Sequence, residues 1–127
     1  MVDRKRRLDC ANGIRKADIV LKHGKVLNVF TEEILEADVA ICGDTIVGVG
    51  SYEGEREIDC TGKYLVPGFL DAHMHIESSM VSPGELSKVL VQAGTTTIVA
   101  DPHEIVNVCG VKGMDYFLKC AGKALVH

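Results

Sequence analysis

The strongest constraint on this chain is a change of rhythm near Tyr64. Before it, short runs of β-type residues alternate with Gly and Asp turn signals. After it, a strand, a helix and a second strand follow one another, with helix punctuation between them. Strand–helix–strand order predicts a parallel sheet, because parallel neighbours need a crossover that a tight turn cannot supply. Two architectures are therefore expected within 127 residues.

In the first half, Ala17 to Leu21 and Lys25 to Phe30 flank His23-Gly24, which reads as a hairpin turn. Ala37 to Ile41 and Thr45 to Val49 flank Gly43-Asp44, a second hairpin. Arg56 to Cys60 reads as a further strand, ending at Thr61-Gly62. Five short strands at this spacing predict a small all-β domain over residues 17–64, a partial sandwich. Residues 1–16, with the run Arg4-Lys5-Arg6-Arg7, read as a solvated basic arm. No apolar stretch follows that run, so it is not read as a secretory signal.

In residues 65–127, Leu65 to His75 is a strand candidate. Ser82-Pro83-Gly84-Glu85 opens a helix, with Ser82 as N-cap, Pro83 at the first helical position and Glu85 placed as in a capping box. Leu86, Val89, Leu90 and Ala93 supply its apolar stripe. Gly94 is the expected stop. Thr95 to Ala100 is a β-branched run suited to a fully buried parallel strand, and a second helix is expected over Gly113 to Cys120. The fold class is α/β: the opening of a (β/α)8 barrel behind a small β-sandwich-type domain.

Composition closes several other routes. A net charge of −4 and the absence of Trp leave no case for a nucleic-acid surface. No apolar run approaches the ~20 residues needed to span a bilayer. The five cysteines are odd in number and scattered, with no Cys-x-x-Cys pair, which argues against a disulfide framework or a zinc ribbon. A reducing cytoplasm is the compartment expected.

The chemistry concentrates on His73 and His75. Residues i and i+2 of a strand share a face and lie ~6.6 Å apart along it, close enough for two imidazoles to lean onto one divalent cation. Asp71 and Glu77 share that face if the strand stays regular. The pair also lies at the carboxyl end of its strand, where barrel sites are built. A second polar cluster, Asp101-Pro102-His103-Glu104, follows the next parallel strand at the same end. Asp101-Pro102 also suits a plain turn, and Glu104 a helix-starting acid. Other motifs fail. Asn107 stands where a zincin needs its second histidine, and Gly48-Val49-Gly50 lacks the third glycine of a dinucleotide fingerprint.

The run Lys63-Tyr64-Leu65-Val66-Pro67-Gly68-Phe69-Leu70-Asp71-Ala72-His73-Met74-His75 resembles the first barrel strand of the amidohydrolase superfamily. Gly43 to Gly50 resembles part of that superfamily's amino-terminal β-domain. His75-Ile76-Glu77-Ser78-Ser79-Met80, Ala93-Gly94-Thr95-Thr96-Thr97 and Ala100-Asp101-Pro102-His103-Glu104-Ile105 resemble the adenine deaminases within it. The resemblance implies hydrolytic deamination of adenine to hypoxanthine and ammonia by a metal-activated hydroxide. It implies a binuclear centre of divalent manganese or iron, with His73 and His75 as the first two ligands. Glu77, His103 and Glu104 become candidates for catalysis, substrate contact or ligand support, and Asp71 for orienting a histidine. The implied partner is adenine, with neither nucleic acid nor membrane, and a homo-oligomer is expected at full length. Later strands would supply a bridging acid, further histidines and a catalytic Asp. The 127 residues alone are therefore expected to be an inactive amino-terminal piece. Two alternatives stand beside this: another cyclic amidohydrolase of the dihydroorotase or allantoinase kind, and a non-catalytic binding relative.

Overall fold

The computed structural model describes residues 3–127. Of the expected basic arm, Met1 and Val2 lie outside the described residues. The chain forms two compact units, Met1–Pro67 and Gly68–His127.

The first unit opens on a helix where a solvated arm was expected. α1 spans Arg4–Ala11, and the side chain of its N-cap Asp3 accepts from the Lys5 N–H. The basic run is held by partners distant in sequence. Arg6 pairs with Asp18, and Arg7 donates to Thr45 Oγ1 over 3.3 Å. Three to four residues on, on the same face of the helix, Cys10 is fully buried, with its Sγ 3.5 Å from that of Cys42.

The sheet of this unit runs β1 (Ala17–Asn28), β2 (Glu33–Cys42), β3 (Thr45–Gly50), β4 (Gly54–Asp59) and β5 (Tyr64–Leu65). Its order is β3-β2-β1-β4, with β5 also pairing β1. β2 is antiparallel to β1 and β3, while β4 and β5 run parallel to β1. The Gly43-Asp44 hairpin forms as expected. The His23-Gly24 hairpin does not: β1 continues through it as one strand, with the register shifted between Leu21 and Gly24 and His23 at φ 59°. The cause is a buried acceptor on the neighbouring strand. Asp38 Oδ1 accepts from the His23 N–H over 3.0 Å, and Asp38 Oδ2 takes the Lys22 ammonium at 2.6 Å. The chain reverses further on instead, between Asn28 and Glu33, through Glu32 at φ 59°. Ala17, Val20 and Ala40 form the core cluster, with Val47 and Tyr52 packed against it.

The second unit begins with β6 (Phe69–Met74) and returns in β7 (Thr95–Ala100), parallel to it. Between them lie a 3-10 turn, Ile76–Ser79, and α2 (Pro83–Gln92). Ser82 caps α2 by accepting from the Glu85 N–H, whereas the Glu85 carboxylate leaves the cap to bind Lys88 at 2.7 Å. Gly94 ends the helix at φ 89°, a backbone geometry only glycine adopts without strain. The buried face of α2 is Pro83 and Ser87, while Val89 of the expected stripe is 64% exposed. α3 (His103–Cys109) and α4 (Val111–Ala121) complete the unit. Glu104 suited a helix start in the sequence, but no helix range was assigned there. β7 is only half buried: Ile98 and Ala100 line an apolar hollow with Phe117 and Leu118, whereas Val99 is exposed. After α4 the chain returns to β7, where His127 donates to the Thr96 carbonyl and accepts from the Ile98 N–H.

Candidate metal centre

β6 ends at Met74, one residue short of His75, but His75 remains extended at φ −106° and ψ 101°. The i, i+2 relation therefore survives, and the two rings converge. Their centroids are 4.7 Å apart and their Nε2 atoms 3.0 Å apart. The strand begins four residues later than expected, because Pro67 and Gly68 precede the first ladder partner, Phe69 opposite Thr95.

The ring of His75 has a fixed tautomer. Its Nδ1 lies 3.0 Å from the carbonyl oxygen of Asp101. A carbonyl can only accept, so the proton sits on Nδ1 and the Nε2 lone pair faces His73. His103 is oriented in the same way. Its Nδ1 lies 3.1 Å from Asp101 Oδ2, and its ring centroid is 4.8 Å from that of His75. The His103 imidazole holds the Asp101 carboxyl below the usual carboxylate range, so Asp101 accepts and His103 Nδ1 donates. The end of β7 thus orients two rings through one residue, by its carbonyl and by its carboxylate. Sequence reasoning set Asp101 in the second polar cluster but gave it no role, since Asp-Pro reads equally well as a turn. The signal available was an aspartate two residues before a histidine, at the same sheet end as His-x-His.

The other candidates are placed differently. Asp71 meets the backbone of the first ligand candidate: its Oδ1 accepts from the N–H of His73 over 3.1 Å. Glu77 Oε1 accepts from the N–H of Ile105 in the first turn of α3 over 3.0 Å, and its Oε2 is buried without a partner. Glu104, in that same turn, accepts from Ser78 Oγ over 3.4 Å. Glu77 and Ser78 therefore bind the 3-10 turn after β6 to the helix after β7. The two polar clusters form one constellation within the second unit.

The donor set fits a divalent cation. Two nitrogens held ~2.1 Å from one ion at right to tetrahedral angles lie about 3.0–3.4 Å apart, and the Nε2 pair stands at 3.0 Å. Ligand atoms of His75, Asp101 and His103 also lie within 4.8 Å of one another. Nitrogen donors with one carboxylate favour first-row transition metals over magnesium or calcium.

A parallel sheet whose strand ends carry His-x-His defines a class, and comparison with known proteins names it: residues 64–127 match the Amidohydrolase family, so the chain belongs to the amidohydrolase family. Curated relatives it matches include adenine deaminases. It is 52% identical over 113 residues to the adenine deaminase of Clostridium acetobutylicum, and 55% identical over 113 residues to that of Bacillus pumilus. Each match takes in 89% of this chain and 20% of the relative, so the chain spans about a fifth of the length of these proteins. Among solved structures it resembles the N-acyl-D-glutamate deacylase of Bordetella bronchiseptica, solved with zinc and a phosphonate inhibitor. That likeness has 26% identity and a TM-score of 0.56, covering 68% of this chain and 19% of the other.

Proposed function

We propose that the intact protein hydrolyses adenine to hypoxanthine and ammonia at a divalent metal centre that begins with His73 and His75. The observation that carries this reading is the Nε2 pair 3.0 Å apart at the end of β6, in a chain more than half identical to adenine deaminases. The order β6-α2-β7-α3-α4, followed by His127 at the edge of β7, supports a (β/α)8 barrel as the complete architecture.

His73 and His75 would hold the cation through Nε2, and the bound metal would supply a water that ionises near neutral pH instead of at ~15.7. The amine must collect a proton to leave as ammonia, and a carboxyl or imidazole at the site can deliver it. His103 and Glu104 fill that role or contact the purine, with Ser78 steadying the Glu104 carboxyl. Glu77 holds the first turn of α3, which carries both. Manganese or iron is the metal proposed and purine salvage the setting, with the protein cytoplasmic and homo-oligomeric. Among the described residues, no helix is long and apolar enough to cross a membrane.

The test uses the full product of the gene, stripped of metal and reloaded with Mn2+ or Fe2+. Adenine is supplied and hypoxanthine is measured. His73→Ala and His75→Ala should each lower kcat/KM by about a thousandfold or more, since several kcal/mol of electrostatic stabilisation are lost. Dihydroorotate, allantoin and N-acyl amino acids serve as competing substrates. Turnover of one of these with none of adenine would overturn the assignment.

A further inference from the structure

Two buried thiols of the first unit touch. Cys10 on α1 and Cys42 at the end of β2 are each 0% exposed, and their sulfurs lie 3.5 Å apart. A buried cysteine by itself packs as a small hydrophobe. Two in sulfur contact add a chemistry, because a disulfide of about 2.05 Å needs a further approach of only about 1.5 Å. The contact is held by groups other than the sulfurs. Asp18 pairs with Arg6, one helical turn before Cys10, and its Oδ2 accepts over 2.7 Å from the N–H of Gly43, the residue after Cys42. One carboxylate thus fixes the helix and the strand end that carry the two thiols. A second tie comes from Tyr52, whose hydroxyl donates to the Ala11 carbonyl over 3.2 Å.

We propose that Cys10 and Cys42 are a reversible disulfide site, closed by hydrogen peroxide, that clamps α1 to β2. The Cys10 thiol has the Lys16 carbonyl 3.4 Å away as an acceptor. Burial, followed by the hydrogen bond to Cys42, pushes that thiol up. Cys10 therefore keeps its proton and Cys42 reacts first. The Cys42 thiolate attacks one peroxide oxygen and the O–O bond breaks. The departing hydroxide takes up the proton that Cys42 released and becomes water, leaving a sulfenic acid on Cys42. The Cys10 sulfur attacks the Cys42 sulfur, the S–S bond forms and the S–O bond breaks. The hydroxyl leaves with the Cys10 proton as a second water. The two thiols give up two electrons, and these reduce the peroxide. A small dithiol restores both thiols by exchange. Disulfides of reducing compartments are ordinarily transient and redox-sensing, and a pair sealed from all but a small neutral oxidant suits that use.

The test treats the Mn2+-loaded full gene product with millimolar hydrogen peroxide, blocks the remaining thiols by alkylation and maps the peptides. A peptide pair joined through Cys10 and Cys42, lighter by two hydrogens than the separate thiol peptides, is expected. Hydrogen exchange of the amides across Arg4–Ala11 should slow at least about tenfold on oxidation, since the cross-link restrains local opening of α1. Dithiothreitol should reverse both changes. In Cys10→Ser the sulfenic acid has no resolving thiol, so dimedone should label Cys42 and the slowed exchange should vanish. Cys10→Ala takes its place if the serine unfolds α1. Recovery of Cys10 and Cys42 unlinked at millimolar peroxide would overturn the proposal. So would a cross-link that leaves the exchange of α1 unchanged.

Discussion

Asp38 is the residue on which the first unit turns. It is 6% exposed, and burial pushes its carboxyl up. The Lys22 ammonium and the backbone N–H groups of His23 and Tyr52 outweigh that burial, and the net position is below the usual carboxylate range. Lys22 is raised, chiefly by its hydrogen bond to Asp38. The signs set a window. A lowered carboxyl contributes stability above its unfolded value of ~3.9, and that stability is lost as pH falls through the folded value. A raised lysine contributes below ~10.4 and loses its contribution as pH rises past the folded value. The pair should therefore stabilise evenly from about pH 5 to pH 9. Asp38→Ala would strand a mostly buried ammonium and two N–H donors, and should cost about 3 kcal/mol at pH 7. Urea denaturation should show the gap between variant and wild type closing as Asp38 protonates in acid. An equal gap at pH 7 and pH 3 would contradict the account. Asp38 also explains what the local sequence hid. His23-Gly24 carries the chemistry of a turn, and only a partner fifteen residues away holds it inside a strand. His73 and His75 were legible because period two is a property of the backbone alone. The role of Asp101 was not, because it depends on where the end of β6 and the first turn of α3 place their rings.

Among the elements, helices announced themselves where a cap and a stop bracket the run. α2 begins at Ser82 and turns off at Gly94, as its residues dictate. α1 was hidden because its basic run suits solvent as well as a helix surface. What decides for the helix is Cys10 sinking to full burial beside Cys42 while Arg6 and Arg7 reach the sheet. α3 was hidden because seven residues with no side-chain cap give a weak local signal. Its crossing with α4 depends on a missing side chain. A Cβ on the buried Gly113 would stand 2.8 Å from the Ile105 carbonyl oxygen, a backbone atom that cannot rotate away. Alanine is the better helix former by about 1 kcal/mol, so propensity alone predicts that Gly113→Ala stabilises α4. Contact with the first turn of α3 predicts the reverse, a net loss of about 1–3 kcal/mol. A thermal melt that rises would show that the helices separate freely.

At the scale of the whole molecule, each unit carries apolar surface that nothing among its own described residues covers. In the first, Leu21, Val26, Leu35, Val39, Ile46 and Val49 line an open trough of about 650 Å3 on one face of the sheet. Ile46 is 65% exposed and Val49 46%. The outer edges of the sheet, β3 and β4, have unpaired backbone groups. In the second unit, Val99 is exposed on a sheet of two strands, and Val108, Val111 and Leu118 are exposed on α3 and α4. Strand alternation and helix periodicity in the sequence tell which side of each element is apolar. They do not tell what covers that side, so the two architectures were legible while the surroundings of their faces were not. Single exposed hydrophobes are ordinary, but contiguous apolar faces next to open strand edges drive association. The 127-residue chain expressed by itself should bind an apolar dye. Its mass by size exclusion with light scattering should rise between about 1 and 100 µM, the range in which exposed apolar surface and strand edges associate. Ile46→Lys with Val49→Lys should lower both signals, since two charges on that face repel copies and break the apolar continuity. Salt should restore the association only partly, because the driving force is apolar burial, with charge supplying the opposition. A dye-silent monomer across that range would show that these faces are closed in solution by a rearrangement of the units themselves.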